Sequence, residues 1–262
     1  MEFVRSNFIP LGLSDFIDRL RGGKPLTKQH ICITFDDGYE NNATVAAPIL
    51  KEMGIPAIFF VTTGFLGGTT RLWVDRFETA YAVLTGKKES DAVVRSRLKQ
   101  MSPNDREAYL KDIEVRTGTA NTIHPLHRSM TWEQARRLLD DGFEIGAHTV
   151  THPILSRCDP KVMVHEITES KRVIEQRCGI SCPHFAHPNG QPDDWNDAVM
   201  QAIRLAGFES CLTTIRGEVR TDDDPFTLKR DTIDTGANLV KFVLTVTGVR
   251  TKLNWLRRKL RL

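Results

Sequence analysis

The feature that most constrains the fold is a repeating order, in which short apolar runs alternate with helix-patterned segments across short links. Residues 30–35 (His-Ile-Cys-Ile-Thr-Phe), 57–61, 143–147, 184–187 and 208–213 read as buried strands, rich in β-branched and aromatic side chains. Ser14 is placed to cap a helix over 15–21, and a second helix over 43–53 should bend or restart at Pro48. The capping box Thr131-Trp132-Glu133-Gln134 opens a helix to Asp141, Asp159-Pro160 opens a long one that Gly179 ends, and 196–206 carries another. Residues 67–128 show little beyond one helix after Pro103. Strand, helix, strand in that order predicts an α/β fold with a parallel sheet, open or closed into a barrel. The chemistry of such folds gathers at the carboxyl ends of the strands.

Two of those ends carry candidate chemistry. The stretch Thr34-Phe35-Asp36-Asp37-Gly38-Tyr39 puts adjacent carboxylates where the first long run leaves the sheet, and Gly38 permits a sharp turn. Like charges so close need a cation, a shared proton or water between them. Taken alone, Asp-Asp-Gly is an ordinary surface turn. The second end is the run from Gly142 to Pro153, which sets His148 and His152 just after another strand. Four residues apart, they would share one face of a helical turn, which Pro153 discourages from continuing. Both ends should open into the same crevice. One Asp and two His with positions left open make a catalytic rather than a structural metal set. The other carboxylate is then free to take a proton from water, whose pKa a zinc-like ion lowers towards about 7.

Composition limits the alternatives. With 262 residues, 40% of them hydrophobic, the chain can bury the core of one domain, placed here at 1–250, with a basic tail at 251–262. Lys and Arg number 36 against 33 Asp and Glu, and a net charge of +3 gives no case for nucleic acid as a partner. No apolar run is long enough to cross a bilayer, and 1–12 lacks the basic-then-apolar order of a signal peptide, so a cytoplasmic location is expected. Five cysteines fit reduced thiols, and Cys178 with Cys182 lacks the second pair that a zinc site needs. In the tail, Leu253, Leu256 and Leu260 alternate with Lys and Arg. That pattern fits membrane contact through anionic lipid, although a terminal helix packed on the domain is the preferred reading.

With "ITFDDGY", "GIPAIFFVTTGF", "LWVDRFE", "MTWEQARRLLDDGFEIGAHTVTHPIL" and "HFAHPNG" in place, the chain resembles the polysaccharide deacetylase family, carbohydrate esterases of family four, over 11–230. The resemblance implies a distorted, incomplete (β/α) barrel and an N-deacetylase whose partner is an N-acetylated glycan. It implies Asp36 as general base, and Asp37, His148 and His152 as ligands of a divalent metal, foremost Zn2+, with Co2+, Ni2+ or Mn2+ as alternatives. Many members carry an Arg-Pro-Pro-Tyr-type motif whose Arg steadies the catalytic Asp. Here the segment is Ala186-His187-Pro188-Asn189-Gly190, so that support must come from elsewhere or be missing. A branch with Phe-Ala-Tyr-Pro-Asn-Gly, which includes poly-N-acetylglucosamine deacetylases, is more similar, and by that likeness the Asn189 N–H is the expected oxyanion donor.

The family's late Leu-x-x-His motif, which supplies a general acid, corresponds to Thr-Leu-Lys-Arg-Asp-Thr-Ile-Asp at 227–234, without His. His187, His184, His124 and His127 are the candidates left, His187 being nearest in motif terms. In the similar branch the acid comes from an early strand, so a truncated N-terminus is expected for a chain that starts part-way through the following helix. Asp193-Asp194-Trp195 reads as a helix-entry loop. Two other readings remain. A non-haem iron oxygenase also uses two His and one carboxylate, but the adjacent Asp suits hydrolysis better. A glycan-binding protein that has lost turnover would account for the missing Arg and acid His.

Overall fold

The predicted alternation becomes a curled parallel sheet with helices outside it. The computed structural model describes residues 1–22, 25–27, 29–68, 70–87, 90–233 and 236–249. The elements are α1 (Glu2–Asn7), β1 (Ile9–Pro10), α2 (Leu13–Gly22), β2 (His30–Ile31), β3 (Ile33–Phe35), α3 (Ala47–Glu52), β4 (Ala57–Val61), α4 (Trp73–Thr85), α5 (Ala92–Gln100), α6 (Pro103–Thr117), α7 (Trp132–Asp140), β5 (Glu144–Ala147), α8 (Pro160–Cys178), β6 (His184–Ala186), α9 (Asp197–Leu205), β7 (Ser210–Leu212) and α10 (Leu239–Val246). Strands β3 to β7 pair in chain order, all parallel, while β1 and β2 make a separate parallel pair.

Side-chain alternation along the strands divides the core. Ala57, Phe59 and Val61 of β4, with Ile145, Phe185 and Cys211, join the large cluster that includes Ala135, Leu138, Ile167 and Ile203 from the covering helices. Ile58 and Phe60 point the other way and meet Ala186, Leu212, Leu228, and Leu13 and Ile17 of α2. This second cluster fills the concave side of the sheet. Gly146 makes room for it, because a Cβ there would lie 2.5 Å from the Phe60 ring.

Among the described residues the curl does not close with a strand. Leu212 bridges to Leu228 beyond β7, and Arg230, two residues on, reaches Thr34 of β3 (Nη1–Oγ1, 2.9 Å). A side chain thus spans the gap, and the fold is a distorted, incomplete (β/α) barrel.

Several expectations change in detail. The apolar run 30–35 divides at Cys32, because His30 and Ile31 pair with β1 while Ile33 to Phe35 pair with β4. The helix expected over 43–53 begins as a π-helical turn, Asn42–Ala46, and becomes α-helical at Ala47. Pro48 falls in the first turn of α3, where its missing N–H costs nothing. Ser14 lies inside α2 rather than capping it, and its hydroxyl donates to Glu144 Oε2 at 2.5 Å, beside His184 Nε2 at 3.0 Å. The capping box of α7 is formed as expected. Residues 67–128 hold α4 and α5 besides the expected α6. Among the described residues no helix is long and apolar enough to cross a membrane. The tail 251–262 lies outside the described residues.

Candidate active site

The carboxyl ends of β3, β5 and β6 converge on one polar group. Asp37, directly beyond β3, has Oδ1 3.4 Å from His148 Nε2 and 3.2 Å from His152 Nε2. The ligand atoms of the three lie within 4.8 Å of one another. His148 Nδ1 sits 2.7 Å from the Ala186 carbonyl oxygen, which only accepts, so Nδ1 carries the proton and Nε2 is turned to Asp37. The two histidines do not share a helical turn. They converge because Thr149 (φ 67°) and His152 (φ 59°) are left-handed, and Glu166 of α8 holds the loop between them by accepting Val150 N–H (2.7 Å), Thr151 N–H (2.9 Å) and the Thr151 hydroxyl (2.6 Å).

Asp37 (φ 77°) and Asn189 (φ 61°) complete the set of non-glycine residues with positive φ among those described. All four sit at this site, the pattern expected where folding holds strained backbone for function. Burial alone would raise the Asp37 carboxyl, but the two imidazoles outweigh it and hold it well below the usual range. Burial likewise would lower His148, and Asp37 overcomes that to raise it. Two imidazole nitrogens and a carboxylate oxygen suit a divalent transition metal, so these residues fit the ion that their pattern implies.

Asp36, next to that cluster, is gripped by Arg230, with Nη1–Oδ1 and Nη2–Oδ2 both 2.8 Å. Arg230 is itself fixed by Nε donating to the Thr213 carbonyl at 2.8 Å. The ion pair overcomes the desolvation that would raise Asp36, and its carboxyl is lowered. The guanidinium missing at Ala186 is therefore supplied from the stretch searched above for a histidine. The sequence carried one cue, an Arg within "TLKRDTID", but only the Leu212–Leu228 bridge brings it to β3.

The other expected residues fall as follows. Asn189 lies on the loop after β6, with its side chain bonded to Lys99 of α5 and Asp194, and its carbonyl to the Thr214 hydroxyl. Its N–H has no partner among the described residues. His187 is enclosed, stacked on Trp195 at 5.4 Å with neither ring nitrogen hydrogen-bonded, and burial pushes its pKa down to about 3. His184 is at the opposite end of β6, bonded to Ser14 and Ser210. His127 Nδ1 lies 3.6 Å from Asp75, whose carboxyl burial pushes up to about 7. His124 lies beside His127, with rings 5.2 Å apart.

At the strand ends of an incomplete parallel barrel, then, an Asp-His-His cluster that could hold a metal ion stands beside a second, Arg-held Asp. The family model for polysaccharide deacetylase matches residues 23–211, and the chain belongs to that family. The Streptococcus pyogenes deacetylase PplD superposes with a TM-score of 0.62 at 18% identity, covering 93% of this chain and 81% of that one. IcaB from Ammonifex degensii gives 0.62 at 18%, covering 94% and 85%. In sequence, the chitooligosaccharide deacetylase of Bradyrhizobium sp. is 36% identical over 77 residues, which is 29% of this chain and 34% of that protein. The matched stretch thus spans about a third of that relative's length.

Proposed function

We propose that the protein hydrolyses the N-acetyl group of an amino-sugar oligo- or polysaccharide, giving the free amine and acetate. The observation that carries this reading is the Arg230-held Asp36 beside Asp37, His148 and His152. Names of similar proteins support the substrate class: the Bradyrhizobium relative is a chitooligosaccharide deacetylase, and a poly-β-1,6-N-acetyl-D-glucosamine N-deacetylase of Escherichia coli is 36% identical over 58 residues.

Asp37, His148 and His152 would hold the ion, with zinc as the first choice. When bound, it would polarise the acetyl carbonyl and acidify water at the site. Asp36, ionised and oriented by Arg230, accepts a proton from the water that attacks the acetyl carbon and returns it to the nitrogen as the C–N bond breaks, so that the amine leaves neutral. The Asn189 N–H, unpartnered and fixed by Lys99, Asp194 and Thr214, donates to the oxygen that gains charge. His187 is given no proton-delivery role, because charging its enclosed ring is costly. Arg230 also removes one reason to regard the protein as a binder without turnover. The test is acetate release from a panel of N-acetylated oligosaccharides. Release by the wild type and not by Asp36→Asn is expected, and equal release by both would refute the role given to Asp36.

A further inference from the structure

The ligand segments are strained and irregular, which leaves open what holds them at one spacing. Asp37 and His152 both have left-handed backbones that ordinary residues avoid, and they belong to separate loops 115 positions apart (152 less 37). Loops of this kind keep such a geometry only where neighbouring structure over-determines it. The backbone provides part of this restraint, since Thr62 N–H donates to the Asp37 carbonyl at 3.1 Å and Met130 N–H to the Gly38 carbonyl at 2.9 Å.

The first turn of α4 touches both loops. Trp73 Nε1–H donates to the His152 carbonyl at 2.9 Å. Two residues on, Asp75 receives the Tyr39 hydroxyl with both carboxylate oxygens 3.0 Å away, and Tyr39 is two residues beyond Asp37. Trp73 and Asp75 are each only 7% exposed, so neither contact competes with bulk water.

The turn that makes these contacts is anchored from behind. Arg76 pairs with Glu107 (2.6 Å) and Glu114 (2.8 Å) of α6, Arg71 pairs with Glu114 (2.5 Å), and the Arg106 guanidinium covers the Trp73 ring at 4.4 Å. One braced helical turn therefore grips the first ligand loop through a carboxylate and the second through an indole.

We propose that Trp73 and Asp75 are positioning residues that set the separation of Asp37 and His152, and so the affinity of the site for its ion. The proposal rests on the ligand set read above. It assigns a purpose to "LWVDRFE", which the reaction itself leaves unused.

The test is Co2+ titration of chelator-stripped protein, following the visible absorption of the bound ion and the dissociation constant by chelator competition. Trp73→Phe keeps the ring and removes the donor, and Asp75→Leu keeps the bulk and removes the acceptor. Each should weaken Co2+ roughly 10–100-fold, the range found when groups supporting metal ligands are removed, and should alter the absorption bands. Tyr39→Phe, which deletes one hydroxyl, should reproduce the Asp75→Leu effect, and adding it to Asp75→Leu should do nothing more. Melting of the metal-free proteins checks that each variant is folded. Wild-type affinity and spectrum in folded Trp73→Phe and Tyr39→Phe would overturn the clamp. Absence of Co2+ uptake by the wild type would overturn the ligand set itself, and the clamp with it.

Discussion

Replacing Arg230 by Met removes the support of the proposed base while leaving the three ligand residues in place. The guanidinium makes two contacts of 2.8 Å to Asp36, one to Thr34 and one to the Thr213 carbonyl, and the paired side chains are only 13% and 26% exposed. Stranding one partner of a buried pair costs about 3–5 kcal/mol, and a carboxylate a quarter exposed belongs at about 3. The Asp36 carboxyl, now lowered because Arg230 outweighs its desolvation, would rise in the variant, since burial and the neighbouring Asp37 both favour the neutral acid. Two effects on rate follow: fewer molecules carry the ionised base, and the carboxylate loses its fixed orientation. Together they should lower kcat/KM roughly 10²-fold near neutrality, and the acid limb of the pH–rate profile should move to higher pH.

The stability effect has a definite sign. A carboxyl lowered in the native state stabilises it above the unfolded value of about 4, and that contribution fades as pH falls through the native value. The gap in melting temperature between wild type and Arg230→Met should therefore be widest near neutral pH and narrow in acid. Acetate release against pH, with melts of both proteins in the same buffers, checks both points. An unchanged kcat/KM and acid limb in Arg230→Met would refute the reasoning.

Asp36→Asn should retain bound metal, by elemental analysis, while acetate release falls roughly 10²–10⁴-fold; loss of metal here but not in Asp37→Asn would mean the two roles are reversed. Lys99→Met strips one support from the Asn189 side chain and should lower kcat by about tenfold with little change in KM, as measured by steady-state kinetics. Gly146→Ala forces a methyl to within 2.5 Å of the Phe60 ring inside the barrel and should destabilise by about 1–3 kcal/mol in denaturant titrations.

The sequence made the sheet legible because three of its strands, β4, β6 and β7, are buried throughout and the pattern is local. The five-residue run of β4 has every side chain enclosed, and its predicted bounds, 57–61, match the strand found. Asp36, Asp37, His148 and His152 were legible for a related reason, since each follows a strand and strand ends share an edge. What could not be read was long-range or weakly patterned. Arg230 meets Asp36 from 194 positions away, through a bridge that no local period announces. Helix α4 does carry the period, with Trp73, Phe77, Ala80 and Tyr81 buried on one face, but it lacks a capping side chain at Leu72 that would mark its start. Helix α5 buries Leu98 alone, so its pattern is too thin to separate from a loop. The route by which His148 and His152 meet was also hidden, because it turns on a left-handed Thr149, and β-branched residues rarely adopt that backbone.

The central claim, that Asp37, His148 and His152 hold an ion on which acetate release depends, is tested most directly by adding Zn2+ back to chelator-stripped protein. Acetate release from N-acetylglucosamine oligomers should climb with added metal and level off at one ion per chain. Asp37→Asn, treated in the same way, should neither take up the ion nor release acetate. Full acetate release by the stripped protein, or by Asp37→Asn, would contradict the account.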